Sequence, residues 1–323
     1  MSKAIFVNQY GGPEVLSYED YQAGEPGPGE VLVRNTAIGV NYIDTYFRSG
    51  LYPAALPLIP GDQAAAVVEA VGPGVDGFNQ GDRVGYASKP LGAYASERII
   101  DASLLVPLPD GISDEVAGTT LTRGLTVEYL THRLYELKAG ETVLVHAAAG
   151  GTGRILCQWA ARIGATVIGT VGSEDKKDIA LENGCSQALL HQQDFAPQVK
   201  QLTGGQGVDV AYDSIGKSTF MKSLDCIRPR GMMVSFGNAS GKPDPLDVLE
   251  LAKRGCLFLT RPTLYGYANV RDDLLLSAGR YFSAITNGLL TIEQGVPFGL
   301  RDAAAAHRHL ENRSIIGSPI LVP

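Results

Sequence analysis

Between residues 141 and 236 the sequence alternates short apolar runs with segments of helical spacing. The apolar runs lie at residues 142–146, 166–171, 189–190, 208–212 and 232–236. Between them lie the helical segments 152–163, 175–183, 195–202 and 217–227. Strands that alternate with helices pair in parallel, because each helix carries the chain back across the sheet. The alternation therefore predicts an α/β fold whose parallel sheet is covered on both faces.

The rest of the chain has a different rhythm. Short strands separated by Gly and Pro clusters are predicted at residues 4–7, 30–37, 64–71, 83–86, 94–100 and 104–107, which is typical of a partly open barrel. A helix at residues 113–135 leads into the α/β block. Helical stretches at 271–287 and 302–311 and a strand at 318–321 end the chain. The two ends of the chain can thus form one domain around the α/β block.

The loop after the first strand of the α/β block is made of small residues, Ala147-Ala148-Ala149-Gly150-Gly151-Thr152-Gly153. A dinucleotide-binding fingerprint requires this place between a strand and a helix. The loop departs from GxGxxG, because Ala148 holds the first glycine position. Small residues still let the backbone approach a pyrophosphate, whose charge a helix N-terminus favours. A turn that needs glycine only for packing is the alternative.

The end of the second strand bears on which dinucleotide is bound. NAD sites carry an acidic residue there for the ribose 2′-hydroxyl, whereas this chain has Gly172 and Ser173, followed by Lys176. A 2′-phosphate fits beside small residues, and Ser173 and Lys176 can bind it. Glu174 and Asp175 argue against this unless they only stabilise the next helix. We expect NADPH as the cofactor, with Lys176 as a solvated helix residue in the alternative interpretation.

Composition excludes several classes of protein. The 323 residues are 45% hydrophobic and 19% charged, which excludes a disordered chain. The net charge of −7 makes nucleic-acid binding an unfavourable interpretation. Four scattered cysteines without a CxxC pattern predict neither a zinc lobe nor a disulfide framework. Neither a signal peptide nor a transmembrane segment is readable, so we expect a cytoplasmic protein without a membrane partner.

Further motifs are dispersed over almost the whole chain. They read Asn41-Tyr42-Ile43-Asp44-Thr45-Tyr46, Arg48-Ser49-Gly50-Leu51-Tyr52-Pro53, Gly81-Asp82-Arg83-Val84, Gly92-Ala93-Tyr94-Ala95, Gly124-Leu125-Thr126, Asp213-Ser214-Ile215-Gly216, Ser235-Phe236-Gly237-Asn238 and Thr260-Arg261-Pro262. With the loop at residues 147–153, they resemble the medium-chain dehydrogenases/reductases, and among these the zinc-independent NADPH:quinone oxidoreductases related to zeta-crystallin. The resemblance implies a GroES-like β-barrel catalytic domain at residues 1–122 and 263–323. It implies a Rossmann NADPH-binding domain, a doubly wound parallel sheet, at residues 123–262.

The resemblance also implies roles for single residues. As catalytic residues it implies Asn41, Tyr46 and Tyr52, which would line the nicotinamide and quinone pocket. As cofactor-binding residues it implies Asn41, Thr126, Ala149, Gly150, Gly151, Thr152, Gly153, Gly172, Ser173, Lys176, His191, Ser214, Phe236, Gly237, Asn238 and Arg313. Ordinary packing of a loop on the barrel is the alternative for each tyrosine.

Two positions depart from the family pattern. His191 stands where these bacterial enzymes carry Tyr; it can stack on adenine or donate to a phosphate, or it is a plain surface residue. Arg123 stands where Lys is frequent, which keeps the charge but changes the geometry of its hydrogen bonds.

Zinc-dependent relatives carry Cys near position 41 and Gly-His-Glu at positions 61–63, where this chain has Asn41 and Gly61-Asp62-Gln63. The thiolate and imidazole ligands that zinc prefers are missing at these positions. We therefore expect no metal and no alcohol oxidation, which needs a Lewis acid. A quinone is a strong acceptor that delocalises charge, so the enzyme's main task is to position it and exclude water. Hydride transfer and electron transfer both remain open.

Two other functions and one assembly follow from the same residues. A reductase of activated C=C bonds in enals or enones would use the same cofactor and fold. A protein of another class would bind NADPH in a structural or RNA-binding role, which the acidic charge disfavours. The apolar runs 232–236 and 257–260 predict an exposed sheet edge and a homodimer that pairs there.

Overall fold

The computed structural model describes residues 2–312 and 317–323. Its strands are β1 (Ser2–Val7), β2 (Leu16–Tyr21), β3 (Glu30–Gly39), β4 (Gln63–Val71), β5 (Arg83–Ala87), β6 (Glu97–Asp101), β7 (Val106–Pro107), β8 (Thr142–His146), β9 (Thr166–Val171), β10 (Gln187–Leu190), β11 (Val208–Asp213), β12 (Ile227–Ser235), β13 (Phe258–Thr260), β14 (Val296–Gly299) and β15 (Pro319–Val322). Its α-helices are α1 (Tyr42–Arg48), α2 (Asp114–Tyr129), α3 (Gly151–Ile163), α4 (Asp175–Glu182), α5 (Phe195–Leu202), α6 (Phe220–Cys226), α7 (Leu249–Lys253), α8 (Leu264–Tyr267), α9 (Arg271–Thr286) and α10 (Ala303–Asn312). Short 3₁₀ turns lie at Pro13–Val15, Ala102–Leu104 and Leu300–Asp302, and a π-helical turn lies at Leu130–Leu134.

These elements form two compact units, each with a hydrophobic core of its own. The terminal unit, which holds both ends of the chain, comprises Met1–Leu125, Tyr267–Asn287 and Ile292–Pro323. The central unit comprises Thr126–Gly266 and Gly288–Thr291. The division implied by the resemblance, at residues 122/123 and 262/263, remains a prediction about domains.

The central unit is built on a parallel sheet. Within the described residues its strand order is β10-β9-β8-β11-β12-β13, and every pairing is parallel. The side chains of Val143, Leu144 and Val145 on β8 are fully buried. From β8 the chain continues to β9 and β10 on one side, and then returns to β11 on the other side of β8. A crevice opens at the carboxyl ends of the strands beside such a reversal, and α/β proteins bind ligands there.

The terminal unit is largely antiparallel. Across the described chain its larger sheet has the order β14-β15-β3-β4-β5-β7, with β6 also paired to β3, while β1 and β2 form a separate pair. The long strand β3 shifts register near Val33 and again near Asn35, where it bends. The buried Asn35 amide compensates there by donating to the carbonyls of Ala93 and Ala95, at 3.1 and 2.8 Å.

The predicted fold class is confirmed, and most element boundaries of the central unit were readable from the sequence. Strands β8 and β9 and helix α5 have the predicted bounds. The sequence interpretation missed three elements of the terminal unit, namely β2, β14 and α1. Helix α1 begins inside a predicted catalytic motif. It is too short for an apolar repeat of helical period to be recognised in the sequence. No helix among residues 2–312 and 317–323 has the length and apolar character needed to cross a membrane.

Two predicted helices differ from the structure. The helix predicted at residues 217–227 begins only at Phe220, because the Asp213 carboxylate holds the preceding turn through the backbone N–H groups of Ile215 and Gly216, at 2.8 and 3.0 Å. The helix predicted at residues 113–135 becomes π-helical from Leu130, whose carbonyl accepts a hydrogen bond from the Tyr212 hydroxyl at 3.2 Å. A local side-chain turn sets the first boundary, and a tertiary contact accompanies the second.

Helix α2 meets α9 at a glycine. A Cβ at Gly124 would lie 2.4 Å from three ring atoms of the buried Tyr281, whose hydroxyl donates to Thr120 Oγ1 at 2.6 Å. The ring is therefore fixed from two sides. Gly279 in α9 is exposed, and a Cβ there would meet nothing within 4 Å.

We expect Gly124→Ala to lower the free energy of unfolding by about 1 to 3 kcal/mol, because the new methyl group must displace Tyr281. Gly279→Ala is the matched control and should raise it by about 0.5 to 1 kcal/mol, since alanine favours the helix. Urea unfolding followed by circular dichroism measures both. A Gly124→Ala variant as stable as the wild type would contradict the close packing.

Candidate active site

The loop after β8 is a compact turn that only small residues can form. Ala147 has φ of +52°, and its carbonyl accepts the N–H of Gly150 at 2.8 Å. A Cβ on Gly153 would lie 2.1 Å from the same carbonyl oxygen. The third glycine of the predicted fingerprint is therefore required by the close approach of α3 to the end of β8.

The N-terminus of α3 has the features of an anion site. Its N-cap, Gly150, provides no side-chain cap, and Gly150 and Gly151 are exposed. Thr152 is half-buried, and the loop is braced from behind by Arg154, whose Nε donates to the Ala149 carbonyl at 2.7 Å. Uncapped N–H groups at the positive end of a helix bind phosphate oxygens. These residues therefore fit the pyrophosphate of a dinucleotide.

Beyond the next two strands, Gly172 and His191 lie side by side. A Cβ at Gly172 would be 3.3 Å from His191 Cε1, and the His191 N–H donates to the Val171 carbonyl at 3.1 Å. Lys176 lies in the first turn of α4, where its N–H donates to the carbonyl of Ser173 at 3.2 Å. The sheet thus brings the four residues predicted for the 2′-phosphate to the carboxyl ends of β9 and β10.

One of the two acidic residues that argued against a phosphate there, Glu174, is paired. Glu174 lies 2.9 Å from the Lys177 ammonium group in an exposed ion pair. Its negative charge is therefore partly balanced by Lys177, and it opposes a phosphate less than the sequence alone suggests.

The ends of β11 and β12 are packed against each other. Ser214 follows β11, and Phe236, Gly237 and Asn238 follow β12. A Cβ at Gly237 would lie 2.3 Å from the Ser214 carbonyl oxygen, and the Phe236 N–H donates to the Asp213 carbonyl at 2.8 Å. The predicted cofactor residues of the central unit, except Thr126, thus follow five neighbouring parallel strands. Thr126 lies half-buried in α2, and Arg313 lies outside the described residues, so its role stays a prediction.

A buried histidine beneath the glycine-rich loop was not predicted. His146 ends β8 and bonds through Nδ1 to Thr170 Oγ1 at 2.7 Å and through Nε2 to Ser223 Oγ at 2.8 Å. Burial lowers the pKa of His146, so the neutral ring is favoured. Ser223 in turn donates to the Asp213 carboxylate at 3.2 Å. This polar cluster joins the ends of β8, β9 and β11 below the loop.

In the terminal unit, Asn41 is the N-cap of α1. Its backbone N–H donates to Asp44 Oδ2 at 2.8 Å, as in a capping box, and its backbone carbonyl accepts the Asp44 N–H at 3.0 Å. Its Oδ1 also accepts a hydrogen bond from Arg123 Nε at 3.3 Å. The Asn41 Nδ2 atom is buried and has no hydrogen-bond partner among the described residues.

The two predicted tyrosines come together at the other end of α1. The ring centroids of Tyr46 and Tyr52 are 5.2 Å apart in an edge arrangement, and the Tyr52 N–H donates to the Tyr46 carbonyl at 3.0 Å. Phe47 packs on Tyr52 at 5.7 Å. Gly50 turns the chain between them with φ of +79°. Both tyrosine rings are half-buried, so each has an apolar wall and an accessible part.

A buried hydrogen-bond chain behind α1 was not predicted from the sequence. The Tyr94 hydroxyl lies 3.1 Å from Asp44 Oδ2 and 2.9 Å from His307 Nε2. His307 Nδ1 lies 2.9 Å from an Arg48 nitrogen, and Arg48 is paired with Glu311 at 2.7 Å. Because a guanidinium only donates, Nδ1 must accept, and Nε2 carries the proton toward Tyr94. The sequence signal was faint, since bonded partners in this hydrogen-bond chain are up to 263 positions apart along the polypeptide.

Burial shifts the pKa values of three groups in this hydrogen-bond chain. Desolvation raises the pKa of Asp44 well above its ordinary range, and the nearby Asp62 carboxyl raises it further. Burial also raises the pKa of Tyr94. The pKa of His307 is lowered to about 3, first by burial and then by the Arg48 charge. His307 is therefore a neutral ring with a fixed tautomer.

The donor set around Asn41 does not fit a zinc ion. The Asn41 side-chain oxygen already accepts a hydrogen bond from the Arg123 guanidinium at 3.3 Å. A divalent cation there would be repelled by Arg123, and no thiolate or imidazole replaces the missing ligands. In the part of the chain that the structure describes, no group of three or more His, Cys, Asp or Glu side chains is arranged to hold a metal ion.

Comparison with known proteins covers both units. Residues 151–274 match the family model of zinc-binding dehydrogenases, and residues 27–110 match that of the alcohol dehydrogenase GroES-like domain. The chain is 48% identical to a quinone oxidoreductase of Pseudomonas aeruginosa over 325 residues, which covers both proteins completely. It is 47% identical to a 2-haloacrylate reductase of a Burkholderia species over 332 residues, which covers all of this chain and 99% of that protein. The crystal structure of Escherichia coli quinone oxidoreductase complexed with NADPH superposes with a TM-score of 0.97 at 44% identity, covering 99% of this chain and 100% of that chain.

We expect the buried His307 to make folding sensitive to acid. Its pKa is about 3 in the folded chain and near 6.5 when exposed, so the unfolded chain binds the proton more readily. Its contribution to stability is complete above pH 6.5 and is lost as the pH falls toward 3. Between pH 7 and pH 5 the loss is about 2 kcal/mol.

Urea unfolding of the wild type and of His307→Asn across this pH range measures the effect. Asparagine keeps an acceptor for Arg48 but does not titrate, so its stability should fall less between pH 7 and pH 5. Parallel curves for the two proteins would contradict a neutral buried His307.

Proposed function

Because the chain belongs to the quinone oxidoreductase family of the medium-chain dehydrogenases/reductases, we propose that it is an NADPH:quinone oxidoreductase that works without a metal ion. The observation that carries the proposal is the arrangement of the central unit. Its candidate cofactor residues follow five neighbouring parallel strands at the chain reversal beside β8. The quinone as acceptor is inferred from relatives with that name at 44 to 48% identity.

The central unit would hold the cofactor by its phosphates. The uncapped first-turn N–H groups of α3, which begin at Gly151, would bind the pyrophosphate beside the exposed Gly150, whose own N–H is used by the Ala147 carbonyl. Ser173, Lys176 and the ring of His191 would surround the 2′-phosphate, because they lie together where NAD enzymes carry an acidic residue. When bound, NADPH supplies a hydride equivalent to the acceptor.

The terminal unit would provide the groups around the acceptor. The edge-packed rings of Tyr46 and Tyr52 offer a flat apolar wall and phenol donors. The buried Nδ2 of Asn41 offers a fixed donor for a carbonyl oxygen. Their proposed task is to orient a flat quinone, exclude water and stabilise the charge that develops on its oxygen, for which no Lewis acid is needed.

A reductase of activated C=C bonds is the second candidate function. The observation that favours it is the 47% identity to a 2-haloacrylate reductase over the full chain. Negative charge develops on a carbonyl or carboxylate oxygen in that reaction as well. The same donors would then serve, so the two functions differ in the shape of the acceptor.

We also propose that the enzyme is a cytoplasmic homodimer. Strand β13 is an edge of the central sheet, and Phe258 on it is 58% exposed. An uncovered apolar edge favours pairing with a second copy. The absence of a disulfide among the four cysteines suits a reducing compartment. Light scattering that gives the mass of one chain would contradict the dimer.

The proposed function is tested by NADPH oxidation with a panel of acceptors. We expect turnover with 1,4-benzoquinones and naphthoquinones that exceeds turnover with alkenals and 2-haloacrylates. The same preparation should keep its activity after dialysis against a zinc chelator. If the C=C acceptors are reduced efficiently and the quinones are not reduced, the second candidate function is established instead.

We expect Lys176→Ala to raise the KM for NADPH about tenfold and to leave the KM for NADH almost unchanged, because a charge-assisted contact to phosphate is lost. Steady-state kinetics with both cofactors and one quinone measures this. Lys177→Ala is the matched control, since Lys177 lies on the same helix and is paired with Glu174. Equal changes for NADPH and NADH would contradict the 2′-phosphate assignment.

A further inference from the structure

The orientation of the Asn41 side-chain amide is fixed by its neighbours. Its oxygen accepts the Nε–H of Arg123 at 3.3 Å. If oxygen and nitrogen were exchanged, the Arg123 N–H would face the amide NH₂ group, and this hydrogen bond to a charged donor would be lost. The donor end of the amide is therefore defined by this network.

That donor end has nothing to bind among the described residues. Asn41 is 7% exposed, and its Nδ2 atom is buried without a partner. A buried donor without a hydrogen bond destabilises a protein, so such atoms need an explanation. A ligand oxygen that accepts a hydrogen bond would supply one.

Arg123 lies directly behind this amide. It is 8% exposed, and besides Asn41 it donates to the Ser318 hydroxyl and to the Val40 carbonyl. Its charge reaches the neighbouring carboxyl, because it acts to lower the pKa of Asp44 against the stronger effect of burial. In a buried site such a charge is poorly screened by water. A cation that donates to the amide oxygen also polarises the amide and strengthens its N–H donors.

We propose that Arg123 is a positioning residue that acts through Asn41: it fixes the amide and strengthens its Nδ2–H donor toward the acceptor's carbonyl oxygen. The inference rests on the proposed function, since it takes the acceptor to be a quinone. A quinone that receives a hydride from NADPH becomes a hydroquinone anion, and one proton from solvent completes the hydroquinone while NADP⁺ is released. The Asn41 donor would stabilise the oxygen on which that negative charge develops.

The test uses quinones of decreasing reduction potential, such as benzoquinones with one to four methyl groups. For Arg123→Lys we expect kcat/KM to fall little with the strongest acceptor and roughly ten- to hundredfold with the weakest, because weak acceptors depend most on oxyanion stabilisation. Lysine keeps a charge but cannot reproduce the Nε–H contact in the same geometry. The dissociation constant for NADPH should stay within about twofold, a margin well below the tenfold effect of one lost charged contact.

Arg98→Lys is the matched control. Arg98 is also a buried arginine of the terminal unit, 4% exposed, but it packs over the Tyr86 ring and donates to the Pro90 carbonyl. Its replacement reproduces the general effect of changing a buried arginine. We expect the dependence of kcat/KM on quinone potential to match that of the wild type.

A double variant shows whether Arg123 acts through Asn41. In an Asn41→Ala background, Arg123→Lys should change kcat/KM by less than about twofold, since coupled residues are not additive. Effects that multiply in the double variant would overturn the proposal. So would an Arg123→Lys variant that loses the same factor with every quinone, or one that only weakens NADPH binding.

Failure of this inference can be told apart from failure of the proposed function. The wild type alone decides whether quinones are substrates. If only enones react, the proposed function is wrong, and the same variants are compared on enones of graded reactivity. Unchanged selectivity of Arg123→Lys on that series would then overturn the role of Arg123.

Discussion

Parallel pairing on both sides of β8 is the constraint on which the central unit depends. Because the strands of this sheet run in one direction, their carboxyl ends meet at one edge. The chain reverses its course between β10 and β11, so the ends of β8 and β11, at His146 and Asp213, become neighbours although they are far apart in sequence. To bind a phosphate, the glycine-rich loop requires only small residues that let the ligand approach, because the sheet already places the N-terminus of α3 where an anion is favoured.

In the terminal unit, by contrast, the main constraint is that several polar side chains are buried away from water. The Asp44 carboxylate is buried, and it accepts hydrogen bonds from the Asn41 backbone and the Tyr94 hydroxyl. His307 and Arg48 continue that chain to the partly exposed Glu311. Each group gives its neighbour the partner that burial requires. The position of α1, and with it the position of Asn41, is thereby determined by residues far along the chain.

The central unit depends on local patterns and the terminal unit on long-range polar contacts, and this difference explains which features the sequence could predict. Alternation of strands and helices is a local signal, and it gave β8, β9 and α5 with their observed bounds. The loop Ala147–Gly153 was readable for the same reason. The hydrogen-bond chain from Asp44 to Glu311 was not, because three of its contacts join residues more than 200 positions apart. One sequence does not show which polar residues become neighbours. Arg123 was noticed only as a departure from a family pattern, and its contact with Asn41 required the structure.

The arrangement around Asn41 also bears on why a metal would be out of place there. A zinc ion would need ligands that lose protons, whereas this site presents N–H donors backed by a guanidinium. Such a site cannot bind a cation, but it can present one directed donor without the reorganisation that water would need. An alkoxide concentrates its negative charge on one oxygen, whereas the oxyanion of a reduced quinone spreads it over a conjugated ring and so makes a smaller demand on a single donor. In the proposed function, the Asn41 amide polarised by Arg123 would therefore serve the quinone oxygen in the way that a Lewis acid serves an alkoxide.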